Sequence, residues 1–294
     1  ADMASNWGCN TLPTPTTDVV VPRTARRKAR IVNTDLTVRN FTINSGARVE
    51  LEAGKRITLS PGAIFTNRGQ FAVLNGAVEF EGDGVINTSS TSFFDLIVNG
   101  TLSMDDEIPS VTNQLQLNNG ASLGEPVIYG DSSTLVYNQG VTVGTDNEWN
   151  SNSDNVGVGR PRNVRIQNGT RVILYGDRRV LGNLDLRLGV LETDEYTLEL
   201  RGDVTDSAGT LIATNGQVFY NKLNAPQAIL PGDYNNLQLN SNSKIFPNGK
   251  TVRIAGSFVT GNATGHIVTG STIEFNGATA QTVPAFTYHH LSIA

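Results

Sequence analysis

The chain has 294 residues, with 22 Lys and Arg against 27 Asp and Glu, a formal net charge of −5 at pH 7. Charged residues are 17% and aromatics 7%, the former below the roughly 25% of ordinary globular domains. This balance argues against nucleic acid as a partner. The lone Cys9 rules out an internal disulfide framework, and no apolar run approaches the roughly 20 residues of a membrane span. Thirty glycines and abundant Asn, Thr and Ser suit many short strands joined by tight turns.

Residues 1–30 read as an entry or cap segment. Within it, "RTARRKAR" concentrates positive charge in an acidic protein. Arg26, Arg27, Lys28 and Arg30 are the candidate contact for an anionic glycan or an acidic neighbour, with a solvated loop as the plainer reading. Its charges are not segregated to one side, so no helix is expected there.

From Phe41 onward, apolar residues fall at every second position: Phe41 and Ile43, Val49 and Leu51, Ile57 and Leu59. A period of two is the mark of a half-buried strand. Gly, Asn, Asp or Pro interrupts roughly every five to ten residues, as turns do. In "VEFEGDG", Glu79 and Glu81 alternate with Val78 and Phe80 and so face outward. With Asp83 and the Asp105, Asp106 and Glu107 of "MDDEIP", they are the carboxylates a polysaccharide-degrading enzyme would draw on. No pattern sets a base beside an activating cation, so no catalytic residue is assigned and the chain reads as non-enzymatic.

Residues 144–162 read as a loop inserted at a coil corner. In "TDNEWNSNSDN", oxygen-bearing side chains recur at Asp146, Glu148, Asn150, Asn152 and Asp154. A calcium loop of the EF-hand kind needs Gly at its sixth position and a carboxylate at its twelfth, where Ser151 and Gly157 stand. A polar loop is the expectation, and no metal or other cofactor is assigned. Farther on, Leu184, Leu186 and Leu188 alternate as strand residues. Arg201 to Asp203 spell "RGD", best read as a turn.

Internal repeats are the strongest signal. "VFYNKLNAPQAILPGDYNNLQL", from Val218, aligns with "IEFNGATAQTVPAFTYHHLSI", from Ile273. Gln227 falls on Gln281, Tyr234 on Tyr288, Leu237 on Leu291 and Leu239 on Ile293, each 54 positions apart (281 − 227, for example). Looser copies begin at Val78 and at Leu135, the latter resuming at "NVRIQNG" from Asn163. In the C-terminal copy, His289 and His290 replace Asn235 and Asn236, which reads as outer-surface variation, not as a metal site. Repeats with no closing pattern, tight Asn-Gly and Ser-Gly corners, and Val, Ile and Leu that stack on their own kind favour a right-handed parallel β-helix, or β-solenoid. Such a chain would be a single continuous solenoid over 1–294, on the order of a dozen coils at roughly 20–25 residues each. An all-β array of sandwiches is the alternative.

The stretch "SNWGCNTLPTPTTDVVVP", followed by "RNFTINSGARVEL", resembles the start of repetitive β-solenoid modules in large surface proteins exported by the bacterial type IX secretion route. Trp7, Pro13, Asp18 to Val21, Pro22, and Phe41 to Ala47 occupy the places of that family's turn and strand motifs. The resemblance implies an extracellular protein at a bacterial cell surface, a structural or adhesive rod segment of an adhesin-like or filament-forming molecule. It also makes Ser207, in the "DSA" of Asp206 to Ala208, an O-glycosylation candidate. A carbohydrate-binding adhesin tip and a polysaccharide-degrading enzyme are the other functional readings. The last strand runs out with no polar or helical stop, an uncapped edge that templates pairing. The expected partners are therefore further coils of a longer chain or head-to-tail copies, and surface polysaccharide, with no membrane insertion.

Overall fold

The structure, a computed structural model, describes residues 7–24, 29–150, 152–261 and 264–294. Among them regular structure is nearly all parallel β, with no α-helix and one 3-10 turn at Asn147–Trp149. The architecture is a β-solenoid of about 13 turns. The turns belong to two compact units, one comprising Ala1–Val136 with Gly157–Gly159, the other Tyr137–Val156 with Arg160–Ala294.

In the first unit, a coil is three short strands and three corners. Asn40–Ile43, Arg48–Leu51 and Arg56–Leu59 make one coil, and Ala63–Asn67, Gln70–Val73 and Ala77–Phe80 the next. Strands pair in parallel with their counterparts in neighbouring coils, so in-register residues share a face. One interior row is Val19, Phe41, Phe65, Ile86 and Met104; another is Leu36, Ile57, Val78, Leu96 and Leu115. All are buried. Aromatic rings meet in the interior: Phe41 and Phe65, in one row, lie nearly parallel with centroids 5.9 Å apart, and Phe93, from a different sheet, meets Phe65 edge-on at 5.5 Å. Such contacts add roughly 0.5–1.5 kcal/mol beyond the apolar area they bury.

The corners explain the wealth of Asn and Asp. A corner carboxylate or amide accepts a hydrogen bond from the backbone N–H of the next coil: Asp35 from Arg56 (2.9 Å), Asn40 from Ile64 (2.8 Å), Asp83 from Thr101 (2.7 Å). In the second unit, Asn163 accepts from Asn183 (2.8 Å) and Asn183 from Asp203 (3.1 Å). Asn75, Asn119, Asn168 and Asp194 take the left-handed backbone conformation, with φ of 57°, 50°, 58° and 49°, which their short side chains tolerate better than most.

The second unit carries a long ladder through Thr142–Gly144, Arg171–Ile173, Val190–Glu192, Thr210–Tyr220, Gly232–Leu239, Thr251–Ile254, Thr272–Phe275 and His290–Ile293. Two details depart from the sequence expectation. Leu188 is not a core residue: the strand ends at Arg187, and Leu188 turns the corner at φ 56° with 65% of its surface exposed. The 144–162 segment is not wholly a solvated corner either, because Thr145, Glu148 and Trp149 are buried. The two aligned repeats also differ in cover. Leu237 and Leu239 are buried, whereas Leu291 and Ile293 are 48% and 65% exposed.

Candidate functional site

Three neighbouring segments of the second unit build a polar cavity. The strand Thr142–Gly144 leads into Thr145 and the 3-10 turn, the strand Arg171–Ile173 leads to Tyr175, and Arg178 opens the strand Arg178–Val180. Ladder pairing of Gly144 with Ile173, extended by the bond from Thr145 N–H to Ile173 C=O (2.9 Å), sets these segments side by side. The cavity between them is open to solvent and about 510 Å³, lined by Gly144, Thr145, Asp146, Asn150, Tyr175 and Arg178.

Its floor is rich in hydrogen-bond donors. The buried Thr145 hydroxyl oxygen accepts from Tyr175 N–H (3.0 Å) and from Arg178 Nη2 (3.0 Å). Both its lone pairs are thereby used, and only its proton remains to be given. Arg178 is 7% exposed; Nη1 donates to Asp177 C=O (3.0 Å) and Nε has no partner. Burial lowers the guanidinium pKa, opposed by the nearby Tyr137, Glu148 and Asp177. Glu148, also buried, is turned inward, where its Oε1 accepts from Tyr137 Oη (2.7 Å) and Asp146 N–H (3.0 Å). Burial pushes its carboxyl pKa up. At the rim stand the exposed Asp146, Asn150 and Tyr175. The Tyr175 ring lies over Gly144, where a Cβ would fall 2.0 Å from the ring's Cε2. Glycine is therefore required at 144 for the ring to lie there.

The residues singled out from sequence have other settings. Arg26, Arg27 and Lys28 lie outside the described residues. Arg30 pairs with Glu52 and, at 3.7 Å, with Glu50. Ser207 ends the strand Val204–Ser207, and its side chain lies outside the described structure. Among the outward carboxylates, Glu79 pairs with Arg56 and accepts from Asn99 Nδ2 (3.1 Å), a cation beside a carboxylate that the sequence pattern did not disclose. Asp106 pairs with Arg68 at 2.6 Å.

The alternating oxygens of the inserted segment do not converge. Glu148 is committed inward, and Asp154 pairs with Arg179 and Arg201 at 2.7 Å each. Among the described residues, no three His, Cys, Asp or Glu side chains gather as metal ligands. The charged ends of the "RGD" are both engaged, Arg201 with Glu199 (2.6 Å) and Asp203 with Lys222 (2.6 Å). His289 and His290 are exposed, their rings 4.4 Å apart.

Sequence reasoning passed over Thr145, Tyr175 and Arg178. The one local signal was "LYGDRR", where an aromatic, a glycine and two arginines follow a strand. A second, more apolar groove of about 620 Å³ involves Ile245, Phe246 and Ile267, with the 3.5 Å Lys250–Asp206 ion pair among its residues. No family model, curated protein or solved structure matches the chain.

Proposed function

We propose that this chain is a structural and adhesive rod segment displayed at a bacterial cell surface, and that it acts mechanically and not as an enzyme. Coils that repeat one pairing register make a stiff spacer whose length grows at about 4.8 Å per coil. Outward rows of Asn, Gln, Thr and ion-paired Arg and acidic side chains keep its sides hydrated; Gln217 bonds Gln238 at 2.6 Å and Asn118 bonds Asn99 at 3.0 Å along such rows.

The observation that carries this reading is the parallel pairing repeated in register from coil to coil, which stacks Leu36, Ile57, Val78, Leu96 and Leu115 in one apolar row. Leu237, in the second unit, is covered in the same way where the next coil pairs it with Phe258. Each coil that stacks on such a row buries more of it, so the proposed partners are further coils, from the same chain or from another copy. Sedimentation velocity over a concentration series tests this with the full chain and with Leu291→Asp and Ile293→Asp. Association that grows with concentration and is lost in both variants supports the reading. A monomer at every concentration counts against it.

The adhesive half of the reading draws on the polar cavity beside Tyr175. Enzymatic activity on acidic polysaccharides, if present in the intact chain and lost on Glu79→Gln, would replace the mechanical reading with a catalytic one.

A further inference from the structure

We infer that the cavity between Thr145, Tyr175 and Arg178 is a binding site for a carboxylate-bearing pyranose, the uronic-acid class of sugar. The inference concerns a ligand site within the second unit and stands or falls separately from coil stacking.

The floor selects for an acceptor. Arg178 lines the cavity, and each of its terminal nitrogens uses one of its two N–H bonds, on Asp177 C=O and Thr145 Oγ1 respectively; Nε–H, also without a partner, is itself buried. The Thr145 hydroxyl accepts twice and so keeps only a proton to offer. Buried donors left unmatched are costly, and a guanidinium's fork matches a carboxylate's two oxygens better than a single hydroxyl. Glu148 lies near enough to Arg178 to favour its charge, but its Oε1 is held by Tyr137 Oη and Asp146 N–H.

The rim selects for a sugar. Tyr175, 64% exposed, packs its ring against the backbone where Gly144 has no side chain. An aromatic face held open at a cavity mouth suits the C–H face of a pyranose ring, and the phenol hydroxyl suits the wet edge. Asp146 and Asn150 beside it accept and donate hydrogen bonds as ring hydroxyls require. Asp146 also disfavours a bare inorganic anion, because its charge opposes one; an oxyanion carrying hydroxyls can satisfy both Arg178 and Asp146. A cavity of about 510 Å³ lies in the range of roughly 300–1,000 Å³ typical of small-ligand sites.

The test titrates the full chain with glucuronate, galacturonate, glucose, galactose and acetate, read by calorimetry and by saturation-transfer NMR on the ligand. The expected result is saturable binding of at least one uronate, weaker binding of its neutral counterpart, and none of acetate at the same concentrations. Tyr175→Ala, at an exposed position, should weaken the uronate by about tenfold or more, and Gly144→Ala should do the same by displacing the ring. Arg178→Gln should erase the preference for uronate over neutral sugar; circular dichroism establishes that this variant is folded. Equal binding of uronate and neutral sugar overturns the assignment, as does acetate binding as well as uronate. Uronate binding unchanged by Tyr175→Ala overturns it too, and so does no binding by any ligand.

Discussion

Gln227 and Gln281 make the same three hydrogen bonds in successive copies of the repeat. The side-chain amide of Gln227 donates to Leu200 C=O (2.9 Å) and Gly202 C=O (2.8 Å), and its oxygen accepts from Lys222 N–H (3.2 Å). That of Gln281 donates to Ile254 C=O (2.8 Å) and Gly256 C=O (2.9 Å) and accepts from Gly277 N–H (2.6 Å). One side chain therefore ties each corner to the coil before it. Gln227 is fully buried, and Gln227→Ala leaves Gly202 C=O and Lys222 N–H without this partner while Leu200 C=O keeps the bond from Asn221 N–H, at a cost of about 2–4 kcal/mol. Gln281, partly exposed, can hand its partners to water, and its alanine variant should cost about 1 kcal/mol. Urea denaturation of the two variants measures the difference; equal losses would contradict this account.

The buried Tyr220 and Tyr234 share a proton order that the bonds determine. Tyr220 Oη accepts from Leu230 N–H (3.1 Å), and Tyr234 Oη donates to Leu230 C=O (2.8 Å). In the 2.9 Å bond between the hydroxyls, Tyr220 is therefore the donor. Each Tyr→Phe change leaves a Leu230 backbone group unmatched and should cost about 1–3 kcal/mol. Burial pushes the Tyr220 phenol up to about 12 and Tyr234 well above the ordinary value of 10.0. Above pH 10 the unfolded chain loses protons that the folded chain keeps, so stability falls as pH rises toward 12. Spectrophotometric titration of tyrosinate should show phenols that ionise only near or beyond pH 12, or on unfolding.

Lys244 is a cation in a buried place, its Nζ donating to Asn240 Oδ1 at 2.5 Å. Burial first, and Lys222 second, push its pKa from 10.5 down to about 8. Between those values the unfolded chain binds a proton the folded chain has released, so this group makes stability rise with pH across about 8 to 10.5. Lys244→Met should abolish that rise and add on the order of 1–3 kcal/mol at neutral pH. Thermal unfolding from pH 7 to 10 measures both effects. A variant that keeps the rise, or is less stable at pH 7, would show that the lysine is held favourably.

Glu148 gives the opposite slope in acid. Its folded pKa lies above the ordinary 4.5 because of burial. From pH 4.5 up to the raised value, the folded chain holds a proton that the unfolded chain has lost, and stability falls as pH rises. Glu148→Gln keeps an acceptor for Tyr137 Oη and Asp146 N–H and should flatten this dependence, as denaturant midpoints between pH 4 and 7 would reveal. An unchanged slope would assign it to another carboxyl.

Much of the solenoid was legible because a strand's period of two is written in the letters wherever one face is buried. The rows through Phe41 and Leu59, and the Gln227–Gln281 equivalence, came from alternation and repeats alone. Leu188 misled because a left-handed corner interrupts the period without changing residue type. The Thr145–Arg178 cavity stayed hidden for a different reason: "TDNEWNSNSDN" alternates polar residues like a solvated strand, but the 3-10 turn at Asn147–Trp149 breaks that alternation and buries Glu148 and Trp149. Lys244 and Arg178 are polar letters in buried places, and only neighbouring coils decide that.

Immunogold electron microscopy of intact, unpermeabilised cells that make the protein, with antibody raised against this chain, tests the proposed role most directly. The account predicts gold on the outer surface, spaced along projecting fibres. Gold absent from intact cells and present only in the cytoplasm of sectioned ones would contradict it.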